Sequence, residues 1–483
     1  MEKQKQALAF SCAVILLAGA PRAAETPKAP AVLEDYKPLR IAVSARDSAG
    51  DFCAQLLGVL DRPVGEALKL PGLTMPAKVD DKGRLELDVH GDGKFRTITQ
   101  QEVLSVTLKG EGDKPKTQAI KLRVFKRDDG AWVYRNLTQL VVQIESETFV
   151  IIDAHGDGVY NAAGVAGMAW QGETYFFPLP AASERWCSAT HDFTGFQMGP
   201  WGENAAVQGR PLVTTVAAAL PVLKGVNDER VKLGLTPRPE DVKLSADLQK
   251  HCAYMAANNT LTHPEDKNKP GYSAEGNAAG QRSILGEGTS APALAIRMVQ
   301  TYFHRIDVIR PNTAAFGVGY EGKFGGIDGR TNCTTAPANF WPVLCPAPGE
   351  RDLATTYAKE APDAIPGEKQ AGYPVTAYFG TDKLKLTSYT LKAVGPAANA
   401  PAAAPPKNTP AAGENVDCHV YDPHTGASSD FTSFQHCVCI IAKEPLKPNV
   451  EYEVTLNAEV DGKPWAATWR FSTSGSKSPK PKK

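Results

Sequence analysis

Apolar and polar residues alternate through both outer parts of this 483-residue chain, and the period changes to helical spacing only in the middle. The stretch AIKLRVFKRDDGAWVYRNL alternates on both sides of Asp129 and Gly130, a pattern typical of a β-hairpin. YPVTAYFG, VEYEVTLNAEV and ATWRFSTS alternate in the same way near the C-terminus. Because strand side chains repeat every two residues, both outer parts are predicted to form β-structure.

The middle of the chain carries helical signals. PVLKGVNDERVKLGL has apolar residues at helical spacing and ends at Gly234. Ser245 is predicted to be the N-cap of a second helix, ADLQKHCAYMAANN. ALAIRMVQTYFHR is apolar almost all round and is predicted to be a buried helix, and FGVGY a core strand. Helices followed by late strands indicate an α+β or α/β/α arrangement.

The chain is too long for one compact core, so several domains are expected. The predicted divisions are a signal peptide over 1–24, a β-rich domain over 25–211, a central domain over 212–348, a C-terminal β-sandwich over 349–475 and a basic tail over 476–483. An Ala/Pro-rich insertion at 393–413 cannot bury a core and is predicted to be an extended loop. We find no internal repeat across the domains.

The N-terminus combines lysines, the apolar run ALAFSCAVILLAGA and small residues, which is typical of an export signal. We therefore expect a secreted, periplasmic or cell-surface protein with no transmembrane segment in the mature chain. Lys+Arg and Asp+Glu balance at 53 each. This balance provides no overall field that would attract nucleic acid.

Eight cysteines remain after Cys12 of the signal is removed, and an even number in an exported chain favours disulfides. Cys333 with Cys345 is the first predicted pair, and Cys418 with Cys437 or Cys439 is the second. Three histidines accompany this last group of cysteines: His419, His424 and His436. Export favours a disulfide with surface histidines there, and a zinc site is the alternative.

The segment DAHGDGVYN resembles the first half of a calcium loop. Asp153, His155 and Asp157 occupy positions one, three and five, and Gly158 occupies position six. Position twelve is Gly164, where a calcium loop has a bidentate glutamate. An Asp-rich turn at a strand end is the favoured interpretation, and weak calcium binding at Asp153 and Asp157 is the alternative.

Two histidines and a glutamate stand out between Leu248 and Gly319: His263, Glu275 and His304. Imidazoles and a carboxylate suit zinc or another divalent cation, and a three-ligand site leaves room for water or substrate. The same groups can act as general acid and base. Their spacing forms no fixed helical motif, so spacing alone does not place them in one site.

The surrounding segments VNDERVKLGL, LSADLQKHCAYMAANNTLTH, YSAEGNAAGQRSI and YFHRIDVIRPNTAAFGVGY resemble, in this order, the bacterial branch of the CAP superfamily. That superfamily comprises cysteine-rich secretory proteins, antigen 5 and pathogenesis-related family-one proteins. The resemblance covers roughly residues 221–348 and implies an α-β-α sandwich with a central cleft. The expected fold class is therefore α+β multidomain, with this CAP-like sandwich between a β-rich N-terminal domain and a C-terminal Ig-like β-sandwich.

The resemblance implies cleft roles for three residues. His263 in LTH and His304 in FHR match the two family histidines, and Glu275 in AEGN matches the first glutamate with the order of Gly and Glu changed. The second cleft glutamate of eukaryotic members has no match here, since Glu287 lies too early. Arg305 is interpreted as a structural residue that holds a carboxylate or a backbone carbonyl.

The closing stretch PLKPNVEYEVTLNAEVDGKPWAATWRFSTS resembles the last strands of bacterial Ig-like domains. Such a module is a spacer or adhesive unit and indicates little about a ligand. Trp465 and Trp469 alternate on its final strand, which favours core packing for these side chains, and glycan binding is the minority alternative.

These observations predict an exported binding protein with a His263/Glu275/His304 cleft, the two histidines holding zinc or another divalent cation. The cleft's partner is expected to be a small molecule, lipid or envelope component, a small apolar ligand included. A metal-assisted or Glu-His hydrolase acting on peptide or cell-envelope polymer is the alternative. A purely adhesive protein with a vestigial cleft is the third hypothesis.

Overall fold

The computed structural model describes residues 36–47, 61–110, 117–127, 129–163, 166–173, 175–212, 220–333, 342–368, 370–397, 413, 415–424 and 436–475. The predicted signal peptide, the basic tail, Cys53 and most of the Ala/Pro-rich insertion lie outside these residues. Within them, the chain forms 27 strands and five helices.

The predicted fold class, α+β with a central α-β-α sandwich, is wrong for this chain, which is mostly β. In the described ranges the strands form seven sheets, in which every pair of neighbouring strands is antiparallel, and the helices lie between residues 220 and 309. The physical reason is that alternating segments dominate the chain outside that stretch. The helical segments contain the recognisable motifs but form a minority of the described chain.

The N-terminal part is built from seventeen strands. Their bounds are β1 Lys37–Pro38, β2 Ile41–Asp47, β3 Arg62–Pro63, β4 Ala67–Leu70, β5 Leu73–Val79, β6 Leu85–Leu87, β7 Arg96–Thr97, β8 Glu102–Lys109, β9 Thr117–Lys126, β10 Trp132–Asn136, β11 Thr138–Ile144, β12 Glu147–Ile152, β13 Gly167–Trp170, β14 Phe177–Pro178, β15 Trp186–Cys187, β16 His191–Gln197 and β17 Ala206–Pro211. They pair as β1-β17-β16-β15, β3-β10-β9-β8, β14-β13-β12-β11-β2 and β4-β5-β6-β7. The predicted hairpin at Asp129 and Gly130 is confirmed as the β9–β10 pair.

The central part holds all five helices and three strands. Their bounds are α1 Leu220–Lys232, α2 Val242–Asn258, α3 Ala274–Arg282, β18 Ile284–Glu287, α4 Ala291–Val299, α5 Arg305–Ile309, β19 Gly317–Glu321 and β20 Phe324–Asp328. The strands pair as β18-β20-β19. Ser245 is not the N-cap of α2, because Asp241 caps the helix by accepting from the Leu244 N–H, and Ser245 Oγ instead accepts from the Val318 N–H.

The C-terminal part contains seven strands in two sheets. Their bounds are β21 Val343–Cys345, β22 Pro374–Tyr378, β23 Leu384–Pro396, β24 Cys418–Tyr421, β25 Cys437–Ala442, β26 Val450–Val460 and β27 Lys463–Ser472. The sheets β21-β22-β25-β24 and β23-β26-β27 share one hydrophobic core. Trp469 is buried in that core and Trp465 packs edge-on against Phe379, with ring centroids 5.0 Å apart. Both positions agree with the predicted packing role.

The central helices and the C-terminal sheet share a second core. Residues of α1, α4 and α5 pack with Cys437, Cys439 and Ile441 of β25. Arg305, fully buried at the start of α5, donates to the carbonyl oxygens of Cys345 and Pro374 across this junction. This geometry agrees with the structural interpretation of Arg305. The strand β21 precedes the predicted boundary at residue 348 and nevertheless belongs to the C-terminal sheet.

The structure contradicts the predicted disulfides, because all seven described cysteines are free. Alternation along β25 directs Cys437 and Cys439 into the core shared with the helices, whereas Cys418 lies in the core between the two C-terminal sheets. Cys418 is therefore on the opposite face of the sheet from its predicted partners. Cys345 is buried in β21, and Cys333 is exposed beyond β20.

The turn that begins at Asp153 has a counterpart in the N-terminal part, which begins at Asp88. Asp153 accepts the Asp157 and Gly158 N–H groups, and Asp88 in DVHGDG accepts those of Asp92 and Gly93. The same short turn motif therefore recurs within the N-terminal part. Asp153 also accepts from Asn136 at 2.9 Å, so both of its oxygens have protein donors. Calcium binding at this turn stays a prediction.

Within the described ranges, none of the helices has both the length and the apolar character needed to cross a bilayer.

Candidate functional site

A cavity of about 300 Å³ lies where the central helices meet the segment that follows β21. Its lining combines histidines, both signs of charge and an apolar floor. The lining residues are Leu261, Thr262, His263, Leu285, Gly286, Glu287, Arg297, Met298, Thr301, His304, Lys359, Glu360 and Ala361. We call this cavity the histidine pocket.

His263 lies in the loop after α2, at the exposed side of the pocket. Its Nδ1 is 2.7 Å from the carbonyl oxygen of Gly280 in α3. A carbonyl oxygen can only accept, so Nδ1 carries a proton, and in the neutral form of the ring Nε2 is the unprotonated nitrogen. An imidazole held in this way is the form that binds a metal ion or accepts from a ligand.

His304 precedes α5, and its side chain is 14% exposed. Burial, followed by the charge that His263 would carry, lowers the pKa of His304 to about 4. The imidazole of His263 therefore lies close enough to affect the ionisation of His304. At neutral pH His304 is uncharged, which is the protonation state that a metal ligand needs.

Glu360 also lines the pocket, and the sequence analysis does not identify it. Its side chain is fully buried, and Oε2 lies 3.3 Å from Nδ1 of His304. The carboxylate also accepts backbone N–H groups from Tyr302, Phe303 and His304. Burial raises the pKa of Glu360, and these hydrogen bonds act in the opposite direction. Its segment, YAKEAP, has no pattern that indicates this contact, which spans 56 residues.

Glu275 does not line the pocket. It lies in the first turn of α3 with its side chain 56% exposed, and Oε2 is 3.5 Å from Nζ of Lys250. Its own backbone N–H, followed by the charge of Lys250, lowers the pKa of Glu275. The structure thus brings His263 and His304 to one cavity and leaves Glu275 on the surface.

A second buried pair supports the loop that carries His263. His251 and Glu265 have fully buried side chains, with His251 Nδ1 2.8 Å from Glu265 Oε1. His251 Nε2 donates to the carbonyl oxygen of Thr262 at 2.8 Å. His251 follows Leu248 by three residues, on the apolar stripe of α2, and that spacing is the signal that could have identified it.

The charged residues at the pocket differ in their pairing. Glu287 lies 3.0 Å from Lys323, and Lys359 Nζ donates to the carbonyl oxygen of Glu368. Arg297 is exposed, and its guanidinium donates to the carbonyl oxygen of Lys359 at 3.4 Å. The pocket therefore places the imidazoles of His263 and His304 beside the cationic side chain of Arg297.

The donor set permits a divalent cation but does not enclose it. Across the described part of the chain, no three His, Cys, Asp or Glu residues form a group that could hold a metal ion. Two imidazoles alone leave at least two tetrahedral positions to water or ligand. The oxygens of Glu360 accept from backbone N–H groups and lie beside Nδ1 of His304, so they are already engaged by protein donors.

Comparison with known proteins adds little to this geometry. No family model matches the chain, and no curated protein matches it. Among solved structures, an extracellular protein containing an SCP domain from Bacillus anthracis str. Ames is similar to the chain at 12% sequence identity, covering 43% of this chain and 84% of that one. The TM-score is 0.20, so the likeness carries no argument about fold or function.

Proposed function

We propose that this chain is a binding protein and that the histidine pocket is its ligand site. The observation that carries the proposal is that His263 and His304 line one cavity of about 300 Å³. Nδ1 of His263 donates to the carbonyl oxygen of Gly280, which leaves Nε2 for a ligand. Such a cavity suits a small ligand or a hydrated ion.

A divalent cation such as zinc fits the two imidazoles. His263 and His304 would hold it, and water or a bound small molecule would complete its coordination. The cation would supply a positive centre for an anionic or electron-rich group of the ligand. Glu275 takes no part in this proposal, because it lies outside the cavity.

The test is zinc titration of the full chain by calorimetry, with metal analysis after dialysis. We expect wild type to bind zinc and His263→Ala and His304→Ala each to lose most of the affinity. Glu275→Gln is the matched control and should bind like wild type. Equal zinc uptake by wild type and the His263→Ala/His304→Ala double variant would remove the proposal.

A small apolar ligand is the second candidate, favoured by a larger cavity of about 700 Å³ between the N-terminal sheets and α1. Trp170, Leu223 and Ile296 are among its lining residues. Quenching of tryptophan fluorescence by a spin-labelled fatty acid tests this candidate. Ile296→Asp should reduce the quenching, whereas Val79→Asp, at an exposed apolar site elsewhere, should leave it unchanged.

Hydrolysis of peptide or cell-envelope polymer remains a prediction. In this geometry the water-activating base would be His263, because burial lowers the pKa of His304 to about 4, which makes it a weak base, and Glu275 lies outside the pocket. Turnover of peptide or peptidoglycan substrates that disappears in His263→Ala, and persists in Glu275→Gln, would support it.

A further inference from the structure

The segment that follows β21 contributes a wall of the histidine pocket through Lys359, Glu360 and Ala361. These residues lie between the helical part and the strand β22 of the C-terminal sheets. The pocket is therefore completed by a part of the chain outside the helical region that contains His263 and His304.

We propose that Glu360 is the positioning residue of His304: it fixes the ring orientation and holds the proton on Nδ1, so that Nε2 faces the ligand unprotonated. The first support is distance, because Oε2 lies 3.3 Å from Nδ1 of His304. The oxygens of Glu360 accept from three backbone N–H groups and from the Tyr357 hydroxyl, so they are acceptors, and a contact with them favours a proton on Nδ1.

Three consecutive backbone N–H groups fix Glu360 in this position. Oε1 accepts from Tyr302 at 2.7 Å and from Phe303 at 2.9 Å, and Oε2 accepts from His304 at 2.9 Å. Such a ring of N–H donors binds an anion and holds it in one orientation. The same carboxylate therefore holds both the backbone and the side chain of His304.

The C-terminal part anchors Glu360 in turn. Tyr357 Oη donates to Glu360 Oε1 at 3.1 Å and accepts from the Ala364 N–H at 3.3 Å. The Tyr357 N–H donates to the carbonyl oxygen of Ala371, close to the start of β22. Arg305 also donates to the carbonyl oxygens of Cys345 and Pro374. His304 and Arg305 are therefore both held by contacts with the C-terminal part, His304 through Glu360 and Arg305 directly.

In His263 the proton is also held on Nδ1, where it is donated to the carbonyl oxygen of Gly280. In their neutral forms both rings then have an unprotonated Nε2, which is the arrangement that a shared cation or hydrogen-bond donor requires. The ligand-binding consequence of the inference rests on the proposed function. The orientation of His304 does not, and it can be measured without any ligand.

The experiment is a long-range 1H–15N spectrum of the full chain, 15N-labelled at histidine, at pH 7, with His304→Ala to assign the signal. We expect wild-type His304 to carry its proton on Nδ1. In Glu360→Gln the side-chain amide can donate to Nδ1, so the proton should move to Nε2. Glu360→Asp keeps a carboxylate and should retain the wild-type tautomer, and Glu368→Gln, an exposed site in the same segment, is the matched control.

A wild-type His304 protonated on Nε2 would overturn the inference, and so would a folded Glu360→Gln with an unchanged tautomer. If Glu360→Gln does not fold, the wild-type spectrum and Glu360→Asp decide. Zinc binding is measured in a separate experiment. Folded Glu360→Gln should bind zinc roughly 10- to 100-fold more weakly than wild type, as is usual when a carboxylate that holds a metal-binding imidazole is lost. An Nδ1–H tautomer without zinc binding would sink the proposed function and leave the role of Glu360 intact.

Discussion

Nδ1 of His251 lies 2.8 Å from Oε1 of Glu265, and neither side chain has any exposed surface. The pair joins α2 to the loop that carries His263, since His251 also donates to the carbonyl oxygen of Thr262. Glu265 accepts the Ser273 N–H at 2.8 Å, just before α3. The loop is thus held by polar contacts in a buried environment, where an unpaired partner is costly.

His251→Ala is expected to lower the local free energy of unfolding of α2 by about 3 kcal/mol, because it leaves the buried Glu265 without its partner. Hydrogen exchange of the α2 amides measures this change. Lys250→Ala, at the adjacent exposed position, is the control and should change it by less than about 0.5 kcal/mol. Equal exchange in the two variants would show that the pair does not stabilise the loop.

Gly280 is predicted to be indispensable for the position of His263. A Cβ at this residue would lie 2.4 Å from Cε1 of His251 and 2.6 Å from the backbone oxygen of His263. Gly280→Ala must therefore displace the loop, and we expect at least a roughly tenfold loss of zinc affinity. Gly395→Ala has open space around it and serves as the control. Unchanged zinc binding by a folded Gly280→Ala would contradict the geometry.

The pocket shows how far the sequence could lead. His263 and His304 could be singled out from their motifs, but their approach depends on α3 and on the segment around Glu360. Glu275 was selected by its motif position, yet it lies on the surface of α3. Glu360 sits in a segment without periodicity, so the tertiary contact that makes it important leaves no local pattern.

The strands were more predictable than the helix ends or the fold class. The alternation of apolar and polar residues around Asp129 and Gly130 is a local property of the sequence, and the hairpin it predicts is confirmed as the β9–β10 pair. The N-cap of α2 is Asp241 and not the predicted Ser245. Both residue types can cap a helix, but Ser245 Oγ accepts from the Val318 N–H. The face of the sheet on which Cys418 lies depends on the register between β24 and β25. This register pairs residues from separate segments, so the local sequence does not indicate it.

Alkylation should separate the cysteines by face and burial. Cys333 is exposed, whereas Cys345, Cys418, Cys437 and Cys439 are buried. Iodoacetamide under native conditions should label Cys333 first and reach the other four only in denaturant. Peptide mapping without reductant measures this order. A peptide that links Cys418 to Cys437 or Cys439 would refute the arrangement, since these side chains occupy opposite faces of one sheet.

Stability should respond to pH through Glu350, which is buried beside the junction of the helical and C-terminal parts. Burial, opposed by its hydrogen bond from the Ala347 N–H, raises the pKa of Glu350 from 4.5 to about 7, and the like charge of Glu229 adds to the rise. The folded state therefore binds this proton more tightly than the unfolded state does. Stability from this group increases as pH falls from about 7 towards 4.5, and is lost as pH rises through 7.

Glu350→Gln removes the titration and keeps the shape of the side chain. We expect the difference in Tm between wild type and Glu350→Gln to change in favour of wild type when the pH is lowered from 8 to about 5. Scanning calorimetry at several pH values measures it, with Glu368→Gln as the exposed control. A difference that stays constant over this range would mean that Glu350 is ionised in the folded protein, despite its burial beside Glu229.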